Sequence, residues 1–163
     1  MTKTVAEIMT RDPIAVTPST PLKEAIQLLA EHHISGLPVV DEQGKLVGII
    51  SQSDLMWQET GAEKPPYVMV LDSIIYLQNP LKYDQEIHKA LGQTVGEVMT
   101  SHVISIHPDK SIRDATQILQ QKKIHRLPVL DEAEKLVGIL TRGDIIRAMA
   151  ADLVWFNFLG VQD

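Results

Sequence analysis

The spacing of apolar residues predicts short elements of alternating type. Leu22, Ala25, Ile26 and Leu29 stand at i, i+3, i+4 and i+7, one buried face of an amphipathic helix. Thr20 reads as its N-cap and Pro21 as its first residue, and the helix should end near His33. Residues 37–40 and 46–50 are short, apolar and rich in β-branched side chains, so they predict two buried strands. The Gly44-containing loop between them is of hairpin length. Residues 14–16 predict a short strand before the helix. Residues 5–9 predict one or two helical turns, stopped by Asp12-Pro13 because the residue before proline is pushed out of the helical region. Ser51, with Asp54 three residues on, opens a further helix to about Thr60.

The pattern then runs again. The offset 94 − 4 = 90 carries residues 4–56 onto 94–146 without a gap, with about 22 of roughly 53 aligned positions identical. The second copy predicts a strand at 104–106 and a helix capped by Ser111 with Asp114 three residues on, carrying Ile112, Ala115 and Leu119 on its buried face. A hairpin at 126–130 and 136–140 follows, then a helix at 142–151. Each copy therefore reads strand–helix–strand–strand–helix, an α/β (α+β) class. The strands are apolar on both faces, so one copy cannot cover its own sheet, and two packed back to back solve the burial problem. The expected division is residues 1–60, an insert at 61–93, a second motif at 94–152 and an apolar tail at 153–163. In the insert, Gly61 to Pro66 reads as a linker, residues 67–77 as helix or strand with helix preferred, and Asn79-Pro80 as the start of another helix at 81–91 stopped by Gly92. The insert reads as a clasp between the halves or as part of a subunit interface. The tail, with Trp155, Phe156 and Phe158, should pack on the body or on another subunit.

Composition narrows the function classes. The 163 residues contain no cysteine, which excludes disulfides, thiolate metal sites and thiol catalysis by this chain. A net charge of −6 argues against a nucleic-acid groove or an anionic membrane surface. Aromatics are 4%, so the core must be aliphatic. No apolar run reaches membrane length and residues 1–20 lack a basic-then-apolar start, so a soluble cytoplasmic protein is expected. His32 and His33 are adjacent, poor geometry for joint ligation, and His102 and His107 flank a strand without a carboxylate cluster, so no metal site is expected. Gly-x-Ser-x-Gly, the Walker lysine loop and Gly-x-Gly-x-x-Gly are all missing, which argues against an enzyme.

Ser51/Asp54 and Thr141/Asp144 admit two readings. As capping boxes they satisfy orphan backbone N–H groups and complement the helix dipole. As a ligand site, the same helix start seats a phosphate and the carboxylate accepts both hydroxyls of a ribose. Pro38 and Pro128 remove a strand donor, which would leave neighbouring peptide groups to pair with the edge of a flat ring. Leu37, Val39 and Ile14, with their repeat mates, would then supply apolar faces for that ring.

The segments Ser35-Gly-Leu-Pro-Val-Val-Asp41 with Leu46-Val-Gly-Ile-Ile-Ser-Gln-Ser-Asp54, and His125-Arg-Leu-Pro-Val-Leu-Asp131 with Leu136-Val-Gly-Ile-Leu-Thr-Arg-Gly-Asp144, resemble tandem CBS-domain proteins, the CBS pair or Bateman module. That resemblance covers about two thirds of the chain and is closest to stand-alone pairs. It implies two βαββα motifs in pseudo-twofold packing, with AMP, ADP, ATP or a related adenosyl ligand in the clefts between them and no catalytic cofactor. Carried over by position, Asp54 and Asp144 would hold ribose hydroxyls, and Ser51, Gln52, Thr141 and Arg142 would serve ribose or phosphate. Ile14, Ala15, Thr17, Ser35, Gly36, Leu37 and Pro38 would line one adenine pocket. Ser105, His107, His125, Arg126, Leu127 and Pro128 would line the other. The resemblance also implies a homodimer and an as yet unidentified regulated protein. Ser35, Gly36 and Gln52 become His125, Arg126 and Arg142, so the half carrying Asp144 should favour phosphorylated ligands. Two alternatives stay open: a partner-binding scaffold in which these residues only cap helices, and an enzyme with an unrecognised site.

Overall fold

The computed structural model describes residues 3–56, 67–70, 73–76 and 93–158. In chain order these form α1 (Val5–Ile8), β1 (Thr10–Arg11), α2 (Leu22–Glu31), β2 (Gly36–Val40), β3 (Leu46–Ser51) and α3 (Gln52–Met56). Then come β4 (Tyr67–Val70), β5 (Ser73–Tyr76), α4 (Val95–Val98), α5 (Ile112–Gln121), β6 (Arg126–Leu130), β7 (Leu136–Thr141) and α6 (Arg142–Phe158).

The chain divides into two compact units, and the division does not follow the repeat boundary. One unit holds residues 1–14, 40–47 and 102–163, the other residues 15–39 and 48–101. Each short helix at the head of a repeat thus packs on the body of the other repeat. A cut at residues 60 and 94 would separate both from their supports. In the first unit β1 pairs with β7, Thr10 opposite Ile139 and Arg11 opposite Gly138, giving the sheet order β1-β7-β6. In the second unit Thr100 and Ile49 exchange backbone hydrogen bonds of 2.9 and 3.0 Å, beside the paired strands β2 and β3. Glycine permits both crossings. A Cβ on Gly138 would lie 2.4 Å from the Met9 sulfur and 3.1 Å from the Thr10 carbonyl oxygen. On Gly48 it would lie 2.5 Å from the Met99 sulfur and 3.0 Å from the Thr100 carbonyl oxygen.

The cores mirror each other at the offset of 90. Val5, Ile106, Ala115, Leu119, Leu127, Val129, Leu140 and Ile145 form the buried cluster of the first unit. Val16, Leu22, Ala25, Leu29, Leu37, Val39, Ile50 and Val95 are buried in the second. Of the expected helix faces, Leu22, Ala25, Leu29, Ala115 and Leu119 are buried, while Ile26 and Ile112 are half-buried.

Helix ends depart from expectation in instructive ways. Pro21 is itself the cap of α2, while the Thr20 hydroxyl accepts the Thr17 N–H at 3.0 Å. The helix closes as a Schellman motif: Ile34 N–H reaches the Leu29 carbonyl and His33 N–H the Ala30 carbonyl, with His33 left-handed at φ 51. Lys123 at φ 54 does the same for α5, so His33 and Lys123 are stop residues of their helices. Thr4 and Glu7 form a reciprocal cap on α1, and accepting the Thr4 backbone and hydroxyl donors holds the Glu7 carboxyl below its ordinary range.

The strands expected at 14–16 and 104–106 shrink to single parallel bridges, Val16 to Val39 and Ile106 to Val129. Pro18 and Pro108 follow two residues later and lack the donor a longer ladder needs. Within residues 67–77, read as helix or strand with helix preferred, the described residues form the antiparallel ribbon β4–β5, with Tyr67 opposite Tyr76 and Val70 opposite Ser73. Their tyrosines, valines and isoleucines favour the pleated form. The helix expected at 81–91 lies outside the described residues. The last helix continues through Phe158, beyond its expected end at residue 151.

The two hairpin turns differ at two positions, Gln43/Ala133 and Gly44/Glu134, and the second bears on the backbone. Gly44 is left-handed at φ 79, and its mate Glu134 holds φ 63 with a side chain. Nothing lies within 4 Å of a Cβ built at Gly44, so at that turn the strain of a side chain is conformational and not a clash. The variant Glu134→Gly should therefore gain roughly 0.5–1 kcal/mol, read as a higher urea midpoint at unchanged slope. A lower midpoint would show that the Glu134 backbone carries no strain.

Candidate functional site

Each unit builds the same small constellation where a hairpin strand enters a helix. In the second unit the Ser51 N–H and hydroxyl both donate to Asp54 Oδ2, at 2.8 and 2.9 Å. Thr100, delivered by the crossing segment, donates its hydroxyl to Asp54 Oδ1 at 2.7 Å. The Gln52 N–H donates to the Ser35 carbonyl at 3.1 Å, tying the helix start to the residue before β2. In the first unit the Thr141 N–H and hydroxyl donate to Asp144 Oδ2, both at 2.7 Å, and the Arg142 N–H donates to the His125 carbonyl at 3.3 Å. Here the other oxygen, Oδ1, is taken by Arg147 at 2.5 Å. Asp144 is the buried charged residue of the set, at 6% exposure.

The sequence expected free N–H groups at these helix starts. At α6 three of the four orphan donors are already committed: Thr141 to Asp144, Arg142 to His125, and Asp144 to the Thr141 hydroxyl at 3.2 Å. An anion there must be held chiefly by side chains. Arg142 and His125 are exposed around it and Arg126 is half-buried; in the second unit Gln52 and Ser35 are exposed and Gly36 is buried.

The expected ring pocket fares differently. Leu37, Pro38, Leu127 and Pro128 expose essentially no surface, so their side chains are core. The Pro38 and Pro128 carbonyls accept the Val16 and Ile106 N–H groups, both at 3.0 Å, which takes one of the two lone pairs of each. Ala15 and Ser105 beside those donors are half-buried, as is Ile14, which belongs to the other unit from Ala15. Thr17 is exposed, its hydroxyl joined to Ser19 and Thr20, and His107 is exposed. Sequence reasoning missed Thr100 and Arg147. Thr100 had a visible signal, since Met-Thr recurs at Met9-Thr10 and Met99-Thr100. Arg147 had none, because its position in the first repeat is Trp57.

The CBS domain family model matches residues 5–58 and 95–151. The chain belongs to the CBS domain family. It is 38% identical over 151 residues to the chloroplastic CBS domain-containing protein CBSX1 of Arabidopsis thaliana, covering 89% of this chain and 63% of that one. It is 36% identical to an uncharacterized Methanocaldococcus jannaschii protein, over 89% of this chain and 90% of the relative. Among solved CBS structures, CBSX2 in complex with AMP superposes with a TM-score of 0.69 at 33% identity, covering 91% of this chain and 96% of that one. The CBS domain pair of protein MJ0100, in complex with 5-methylthioadenosine and S-adenosyl-L-methionine, superposes with a TM-score of 0.68 at 28% identity, over 93% and 99% of the two chains. Among the described residues no helix is long and apolar enough to cross a membrane.

Proposed function

We propose that this CBS pair is a regulatory module that binds an adenosyl ligand, AMP, ADP, ATP or a relative, and acts through a partner protein rather than by catalysis. One observation carries the reading: a carboxylate held in the same way in both repeats, one oxygen fixed by Ser51 or Thr141 and the other turned to a displaceable partner. Two adjacent carboxylate oxygens suit the two hydroxyls of a ribose. The solved relatives with AMP, 5-methylthioadenosine and S-adenosyl-L-methionine share the adenosyl group and support the choice of ligand class. The cationic replacements His125, Arg126 and Arg142 direct phosphorylated ligands to the Asp144 half-site. A sensor also needs a ligand that prefers one arrangement of the protein over another.

Thermal melting with AMP, ADP and ATP tests the reading. Ligand at about 100 times its dissociation constant should add about 2.7 kcal/mol of stability. The variant Asp54→Asn should weaken binding at its own half-site roughly tenfold, the effect of one charge-assisted hydrogen bond. If no adenosyl compound moves the melting point, the scaffold reading stands instead, and Asp54 and Asp144 are helix caps whose removal costs about 1 kcal/mol each. Loss of AMP binding in Asp54→Ala with none in Asp144→Ala would overturn the assignment of phosphate to the second half-site.

A further inference from the structure

The two half-sites differ in what must leave before a ribose arrives. At Asp54 the outer oxygen accepts from Thr100, a neutral hydroxyl that can rotate and itself accept from a ligand. At Asp144 it accepts from Arg147, a guanidinium that only donates. With Oδ2 already carrying two donors from Thr141, Arg147 holds part of the capacity that a diol requires. The ion pair is one-sided: the Asp144 side chain is 5% exposed and that of Arg147 is 72% exposed. The carboxylate is therefore fixed, while the arginine is free to swing.

We infer that Arg147 is a latch on the Asp144 half-site, displaced by the ligand ribose and recaptured by the ligand phosphate, so that this half-site selects adenosyl ligands by whether they carry an anion. A neutral nucleoside must break the Arg147–Asp144 pair and leaves the guanidinium in water. A nucleotide offers the same guanidinium a bidentate oxygen pair, so its charge is satisfied before and after binding. Arg142, exposed on the same helix start, adds to the attraction but holds no bond to Asp144 that would have to break. The inference rests on the adenosyl reading proposed above and adds a charge filter to it.

Calorimetric titration of the full chain with adenosine and with AMP tests this. The Asp54→Asn background leaves the Asp144 half-site as the one under study, with Arg147 intact or replaced by glutamine. Arg147→Gln should tighten adenosine about two- to fivefold, the range expected for releasing an exposed ion pair. It should weaken AMP or leave it unchanged, so that the preference for AMP over adenosine falls about twofold or more. A merely structural arginine would shift both ligands by one factor, and that outcome overturns the latch while leaving adenosyl binding in place. If neither ligand binds even the unaltered chain, the adenosyl reading and the latch fall together.

Discussion

Replacing Leu127 with alanine should destabilise the ligand-free protein by about 2–5 kcal/mol, the range for truncating a fully buried leucine. Leu127 has 0% exposure and sits within the cluster of Val5, Ile106, Ala115, Leu119, Val129, Leu140 and Ile145. It stands on β6, whose register puts it opposite Leu140 on β7. The neighbours belong to a strand ladder and three helices, which cannot collapse into the lost volume without breaking hydrogen bonds, so most of the cavity remains. Urea unfolding with a fitted slope measures the loss. A drop below about 1 kcal/mol, accompanied by weaker ligand binding, would move Leu127 from the core to a ligand wall. Leu37, its mate in the other unit and equally buried, should behave alike.

Gly138→Ala should cost about 1–3 kcal/mol through overpacking at the crossing of β1 over β7. The added carbon meets the Met9 sulfur at 2.4 Å and the Thr10 carbonyl oxygen at 3.1 Å. The thioether can rotate away. The carbonyl cannot, because Thr10 is paired with Ile139 in the sheet. A double-mutant cycle with Met9→Ala separates the two contributions. Full rescue by Met9→Ala would assign the clash to the sulfur alone and remove the backbone argument. Gly48→Ala is the sharper case functionally, since the segment it would push away carries Thr100, the hydroxyl on Asp54. That variant should lose stability and alter binding at the Asp54 half-site together. An unchanged melting point in either variant would show that the crossing segment gives way freely.

Much of the local structure was written in short-range pattern. The i, i+3, i+4, i+7 spacing of Leu22, Ala25, Ile26 and Leu29, the cap of Ser111 with Asp114, and the apolar strands about Gly44 each depend on a few neighbouring residues, and each formed within a residue or two of its expected bounds. The ribbon at 67–76 was misjudged because an apolar run of that length suits helix and strand alike, and only its β-branched and aromatic content tips it.

What the sequence by itself determined is the duplication, the aliphatic character of both cores and the pairing of Ser51 with Asp54 and Thr141 with Asp144, since all of these follow from spacing along the chain. What only the tertiary structure decided is which body each short helix joins, and what fills the second oxygen of each carboxylate. Thr100 lies 46 positions after Asp54, whereas its twin Thr10 joins the body of Asp144, 144 − 10 = 134 positions further along the chain. No local rule ranks the near support over the far one, because both hairpins carry the glycine that lets a passing backbone come close. Arg147 was near in sequence, but an exposed arginine has many staggered positions, and only the folded surroundings of a buried aspartate select the one that closes on it.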